Sequence, residues 1–205
     1  MAIVKQILGG NERKIIEKAA RIMKEGGVVI IPTETSYGIG VDATNETAIK
    51  KIAAVKQQPE EKHISIIVAD LEQAEKFGRI GEEARKLVEK FMPGPLTLVV
   101  KKKPGVPDLL AENSIAFRIS SNRIARAVCE QLGNGVTATS ANLHGRPSIY
   151  SAREVVKQFN NRVHMIIDAG ELQHNSPSTI FDMEEKRVLR LGPITEMQIT
   201  QVLEG

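Results

Sequence analysis

Two short stretches carry most of the groups that could bind a polar substrate: Pro32-Thr33-Glu34-Thr35-Ser36-Tyr37-Gly38 and Thr139-Ser140-Ala141-Asn142. Each follows an apolar run that reads as a strand, and loops leaving strand ends are where open α/β sheets place ligands. Two such hydroxyl-rich loops predict one shared site for a polyanion or a zwitterion. Phosphate needs cations and preorganised N–H or O–H donors, because its charge is too costly to bury uncompensated. The sequence supplies them in four places: hydroxyls at Thr33, Thr35 and Tyr37; a point charge at Lys56; a guanidinium at Arg118; and Ser140, Asn142 and Ser148 around a turn before a helix. Arg190 adds a planar fork suited to phosphate or carboxylate.

Each of these groups also has a plainer reading. Pro, Thr and Ser favour turns, Ser140 and Asn142 can brace a loop, and Lys56 complements the dipole at a helix C-terminus. Alternation along Ile115-Ala116-Phe117-Arg118-Ile119 sets Arg118 on the face of Ala116, opposite Phe117 and Ile119, which leaves both a cleft and an exposed edge open. Cys129, the single cysteine, excludes an internal disulfide and reads as a structural thiol on an amphipathic helix. His63, His144, His164 and His174 lack metal-ligand spacing, although His144 is near enough to Ser140 to reach a site rim. Neither GxxxxGK[ST] nor GxGxxG occurs. Lys101-Lys102-Lys103 reads as a solvated strand end, with an RNA patch as the alternative.

The elements that must position these groups alternate in type. Asn11 opens a helix with Ile15, Ile16, Ala19, Ile22 and Met23 on one face, stopped by Gly26-Gly27. A strand over Val28 to Ile31 follows, then a helix from Asn45 to about Lys56, a strand over Ile64 to Ala69, a capping-box pattern at Asp70 and Gln73, and a helix carrying Ala84, Leu87, Val88 and Phe91. Strands are expected over Leu96 to Val100 and Ile115 to Ile119, a helix from Asn122 to Gly133, and a strand over Val136 to Thr139. Ser151 and Glu154 form a second capping-box pattern; strands at Met165 to Ile167, Thr179 to Phe181 and Arg187 to Leu191 precede a last helix capped by Thr195 with Gln198. Consecutive strands without an intervening helix predict α/β architecture with a twisted mixed sheet, and residues 1–205 are expected to form one domain.

Composition narrows the classes. Apolar residues at 41% and charged residues at 26% argue against disorder, and the absence of Trp with 3% aromatic content argues against single-strand binding by base stacking. The net charge of +3 suits phosphate ligands or a transient visit to RNA without choosing between them. No signal-peptide pattern or membrane-length apolar run is seen, so a reducing cytoplasm is expected.

Taken as a set, Pro32 to Gly40, Lys56-Gln57-Gln58-Pro59, Pro93-Gly94-Pro95-Leu96-Thr97, Phe117-Arg118-Ile119 and Thr139 to Asn142 resemble the YrdC/TsaC family of threonylcarbamoyl-AMP synthases, in order and spacing over nearly the whole chain. Pro177 to Asp182 and Val188-Leu189-Arg190 are similar to that family's closing strands. The resemblance, to the short form without an extra C-terminal domain, implies a YrdC-like fold around a large concave basic cleft. It also implies the conversion of L-threonine, bicarbonate and ATP, with Mg²⁺, into threonylcarbamoyl-AMP and pyrophosphate for the t6A nucleoside of tRNA. Implied partners are tRNA or double-stranded RNA and the proteins that next transfer the threonylcarbamoyl group. Carried over by position, Thr33, Thr35, Tyr37 and Arg118 would meet threonine, and Lys56, Gln58, Lys62, Ser114, Ala138, Ser140, Ser148 and Arg190 the nucleotide. Lys56, Ser140 and Asn142 would serve the chemistry. The family pattern is Lys-x-Arg, and Gln58 stands here at the arginine position, losing its charge and fork. That departure keeps two alternatives in play: a divergent paralogue with weak or altered nucleotide chemistry, and a double-stranded RNA-binding module without catalysis.

Overall fold

The computed structural model describes residues 1–58 and 63–205. In chain order the elements are β1 (Ile3–Gln6), α1 (Glu12–Lys24), β2 (Val29–Pro32), β3 (Tyr37–Gly40), α2 (Glu46–Lys56), β4 (Ile66–Val68), α3 (Leu71–Phe77), α4 (Glu82–Phe91), β5 (Leu96–Lys101) and β6 (Ser114–Ile119). They continue with α5 (Arg123–Leu132), β7 (Val136–Thr137), β8 (Thr139–Ser140), α6 (Ala152–Phe159), β9 (Met165–Asp168), β10 (Thr179–Asp182), β11 (Arg187–Arg190) and α7 (Glu196–Glu204).

The expected mixed α/β arrangement is present and is divided between two sheets, in the orders β1-β9-β2-β3-β8 and β11-β10-β5-β6-β4-β7. Each combines parallel pairs (β2 with β9, β5 with β10, β4 with β6) and antiparallel ones (β2 with β3, β5 with β6, β10 with β11). The segment expected to be one strand over Val136 to Thr139 is where they meet. β7 pairs with β4 in the larger sheet, β8 pairs with β3 in the smaller, and the Ala138 N–H between them bonds Ser65 O at 2.7 Å. A strand that changes sheets makes a corner, and this one lies beside the Ser140 loop.

Part of the first polar loop is also strand. Thr33 to Ser36 turn back so that β3 pairs with β2 in register, Ile31 opposite Gly38 and Val29 opposite Gly40. A Cβ on Gly40 would lie 2.7 Å from Val136 Cγ1, so the missing side chain lets β3 pack beneath the corner. β2 is buried on both faces: Val29 and Ile31 join α1, α5 and β9 in one core, while Ile30 joins Ile39, Ile52 and Phe117 in the other. β1, an exposed edge strand, offers no alternation that sequence reading could detect.

Helix starts follow capping chemistry in part. Asn45, Asp70 and Asn122 accept bonds from first-turn N–H groups, and Thr195 with Gln198 forms the complete reciprocal box. Asn11 does not cap α1; its side chain instead accepts from Leu8 N and donates to Gln6 O, tying down the preceding loop. Ser151 makes no cap bond, and Gln73 uses its amide on Ala69 N and Cys129 O, so neither completes a box.

The antiparallel pair β10–β11 contains a bulge: Ile180 opposes Arg190 while Phe181 opposes Val188, which makes Leu189 the extra residue. Just beyond, Gly192 passes so close to the start of β10 that a Cβ there would sit 2.4 Å from Pro177 O and 2.5 Å from Thr179 N. Backbone atoms cannot retreat as a side-chain tip can. Gly192→Ala is therefore expected to destabilise the fold by about 1 to 3 kcal/mol, read from denaturant unfolding; an unchanged midpoint would contradict this contact.

Two buried acids resist deprotonation in the fold. Burial pushes the Cys129 thiol from 9.0 up to about 12, and pushes the Tyr37 phenol from 10.0 up to about 12 against the opposing hydrogen bond from Ala169 N–H. Both folded values lie above the unfolded ones, so their stabilisation is complete below pH 9 and is lost as pH rises towards 12. Urea unfolding at stepped pH should show stability falling from about pH 9, by at most about 1.4 kcal/mol per unit for each group. In Cys129→Ala the fall is expected to begin about one unit higher.

Candidate functional site

A cleft of about 490 Å³ lies against the larger sheet, with the β2–β3 turn and β8 of the smaller sheet across from it. Strand period two decides which side chains line it. β6 turns Ser114, Ala116 and Arg118 into the cleft and keeps Ile115, Phe117 and Ile119 in the core; β5 contributes Thr97 and Val99. Arg118 thus lies on the cleft face of a central strand, 6% exposed, and not on an open edge. The bulge in β11 breaks alternation so that neighbouring Leu189 and Arg190 both reach the cleft.

The β2–β3 turn is organised by Thr33. Its hydroxyl donates to Ser36 O at 2.7 Å and accepts from the N–H groups of Thr35 and Ser36, both at 3.2 Å. The turn reading and the site reading of this loop therefore hold together: Thr33 shapes it, and Thr35 and Ser36 also line the cleft. Tyr37 belongs elsewhere. Its ring is fully buried, and its hydroxyl donates to Gly170 O at 2.9 Å and accepts from Ala169 N at 3.0 Å, which makes it a strut within the core.

Two guanidinium groups face the cleft in different surroundings. Arg118 Nε lies 2.8 Å from Glu34 Oε1, both side chains nearly buried, yet the N–H is not aligned on that oxygen and neither atom has a hydrogen-bond partner among the described residues. Glu34 Oε2 accepts from Ser120 Oγ. Arg190 donates from Nε and Nη2 to Ser178 O at 3.0 and 2.9 Å and from Nη2 to Ser178 Oγ at 3.1 Å; that hydroxyl sits 2.8 Å from Thr97 Oγ1. Among the described residues no carboxylate pairs with Arg190, and its pKa is lowered, first by burial and then by the positive charge of Arg118. An anion between the two arginines would relieve both effects.

Lys56 is buried where α2 ends, with Gln57 in the left-handed region (φ 55°) turning the chain away. Its Nζ donates to Thr139 Oγ1 at 2.7 Å, and its carbonyl accepts from His144 N at 3.0 Å. Gln58 Oε1 lies 3.3 Å from His144 Nδ1. Asn142 accepts from Ser140 Oγ and donates to Leu143 O and Arg146 O, so it braces the loop.

Of the residues predicted from sequence, Thr33, Thr35, Ser114, Arg118, Ala138, Ser140, Ser148 and Arg190 line one cleft. Lys56 and Asn142 stand behind Thr139 and Ser140, Gln58 is beside His144, and Lys62 lies outside the described residues. Sequence reading missed Thr97, Tyr150, Asn175, Ser178 and Asp182, which also line the cleft. Thr97 and Ser178 meet only because β10 runs parallel to β5, a pairing that no local pattern announces. Among the described residues no group of three or more His, Cys, Asp or Glu could hold a metal, and no helix is long and apolar enough to cross a membrane.

Comparison with known proteins agrees with this fold. The family model Sua5/YciO/YrdC, described as telomere recombination, matches residues 21–192. The threonylcarbamoyl-AMP synthase of Pyrococcus abyssi is 36% identical over 99% of this chain, which spans 61% of that protein's length. The threonylcarbamoyl-AMP synthase of Idiomarina loihiensis is 34% identical over 84% of this chain and 96% of its own. The crystal structure of P. abyssi Sua5 complexed with L-threonine superposes with a TM-score of 0.89, at 36% identity, covering 99% of this chain and 61% of that one. With a family model matched over residues 21–192 and relatives 34 to 36% identical over most of its length, the chain belongs to the Sua5/YciO/YrdC family.

Proposed function

We propose that residues 1–205 act as one YrdC-like domain that makes threonylcarbamoyl-AMP and pyrophosphate from L-threonine, bicarbonate and ATP, the first step towards t6A in tRNA. The observation that carries this reading is the pair of guanidinium groups facing one cleft, Arg118 buried and paired with a carboxylate, and Arg190 more exposed and bonded to a carbonyl and a hydroxyl. In this reading Arg118 takes the threonine carboxylate, with Thr35 nearby. Arg190, Ser140, Ser148 and Lys56, the last acting at Thr139, serve the nucleotide.

The chemistry needs alignment more than a protein nucleophile. The threonine amine and bicarbonate give a carbamate and water; a carbamate oxygen then bonds to the α-phosphorus of ATP as the α–β bridging P–O bond breaks, and the electron pair leaves with pyrophosphate. The protein's part is to hold the carbamate in line and to place cations and O–H donors where charge grows. The described residues offer no three-ligand seat for a metal, so the expected Mg²⁺ is proposed to arrive on the ATP phosphates. A cytoplasmic location and contact with tRNA belong to the same proposal.

A second reading, a divergent paralogue, is favoured by one observation: Gln58 in a Lys-x-Arg position, its side chain against His144. Pyrophosphate release that depends on L-threonine and bicarbonate supports the synthase, whereas release indifferent to threonine supports the paralogue. Salt-sensitive RNA binding without any nucleotide turnover would support the binding module. Arg118→Lys keeps the charge but loses the fork, and kcat/KM for threonine is expected to fall about 10- to 100-fold, the equivalent of about 1.5 to 3 kcal/mol. Gln58→Arg is expected to raise kcat/KM for ATP about tenfold by restoring a charge-assisted phosphate contact. No change in that variant would mean that the site already compensates for the missing charge.

A further inference from the structure

The two arginines of the cleft differ in net charge environment, and the difference comes from Glu34. Its carboxylate lies 2.8 Å from Arg118 Nε, with side-chain exposures of 10% and 7%. Glu34 Oε1 and Arg118 Nε are shielded from solvent, and of the two residues Arg118 lines the cleft while Glu34 does not. Opposite unit charges that close offset each other in part, so Arg118 offers directed N–H donors with less net potential than an unpaired cation, although its charge is still felt at Arg190. Arg190 is bonded to neutral groups, Ser178 O and Oγ, and among the described residues it has no ion-pair partner, although Asp182 lines the same cleft.

Ligands of different charge respond differently to these two ends. A polyphosphate carries several negative charges and goes where the net potential is most positive, whereas an amino-acid carboxylate carries one, offset by its own ammonium, and depends on donor geometry. Glu34 is also fixed from three sides. Ser120 Oγ bonds its second oxygen, Asn175 Nδ2 donates to its carbonyl at 2.8 Å, and its backbone belongs to the turn shaped by Thr33. Because the Arg118 N–H is not aligned on Glu34, what the pair supplies is charge and not a hydrogen bond.

We infer that Glu34 is a specificity-determining residue: by offsetting part of the Arg118 charge it reserves that end of the cleft for the carboxylate of a zwitterionic amino acid and turns phosphate away towards Arg190. The inference rests on the synthase reading. It deepens that reading by stating how one cleft sorts two anions.

Calorimetric titration of L-threonine, with and without saturating pyrophosphate, tests it on the parent and on Glu34→Gln, which keeps the shape and removes the charge. In the parent, pyrophosphate is expected to change the apparent threonine Kd by less than about twofold; in Glu34→Gln it is expected to raise it about tenfold or more, by occupying Arg118. Displacement of threonine from the parent, or equal insensitivity in Glu34→Gln, would overturn the assignment while leaving the synthase reading intact. A parent that binds no L-threonine would overturn both. Should Glu34→Gln fail to fold, Ser120→Ala, which frees the carboxylate to drift from Arg118, is expected to show the same competition, and its absence there would count against Glu34.

Discussion

Burying a guanidinium on a central strand costs several kcal/mol unless an opposite charge accompanies it, and the architecture around the cleft can be understood as the means of holding that partner in place. Arg118 sits in β6 between β5 and β4, in the larger sheet, while Glu34 comes from the β2–β3 turn of the smaller one. Their contact therefore ties the two sheets together across the cleft. It fixes the turn over the site, and the Thr33 hydroxyl network fixes the shape of the turn.

The same logic runs through the other wall. Arg190 reaches the cleft because β11 carries an extra residue, and its guanidinium is oriented by the Ser178 carbonyl that the parallel β5–β10 pairing places there. Gly192 permits the close passage that follows. At the corner between sheets, β8 sets Thr139 against Lys56 and Ser140 against Asn142, so cation and hydroxyls are pre-bonded to one another within the protein. Such preorganisation is what adenylyl transfer asks of a site whose work is alignment and charge stabilisation.

Much of this was legible in the sequence where it followed local rules. The period-two reading placed Arg118 with Ala116, and both line the cleft with Ser114, since strand alternation survives any tertiary context. Helix starts at Asn45, Asn122 and Thr195 were visible because capping is a contact within a few residues. What escaped depended on distant pairing. The division into two sheets, the β7–β8 corner and the meeting of Ser178 with Thr97 are set by long-range register, and β3 was hidden because Gly38 and Gly40 give no side-chain pattern. Tyr37 carried the right chemistry for a ligand group, but its place in the core could be known only from what surrounds it.

The central claim is that one cleft holds an amino acid at Arg118 and a nucleotide towards Arg190. A crystal structure of the protein with L-threonine and a non-hydrolysable ATP analogue tests it most directly. The account predicts the threonine carboxylate on the Arg118 Nη groups, the phosphates near Arg190, Ser140 and Ser148, and the threonine nitrogen facing the α-phosphate. Phosphate on Arg118 with threonine elsewhere, or two ligands in separate places, would contradict it.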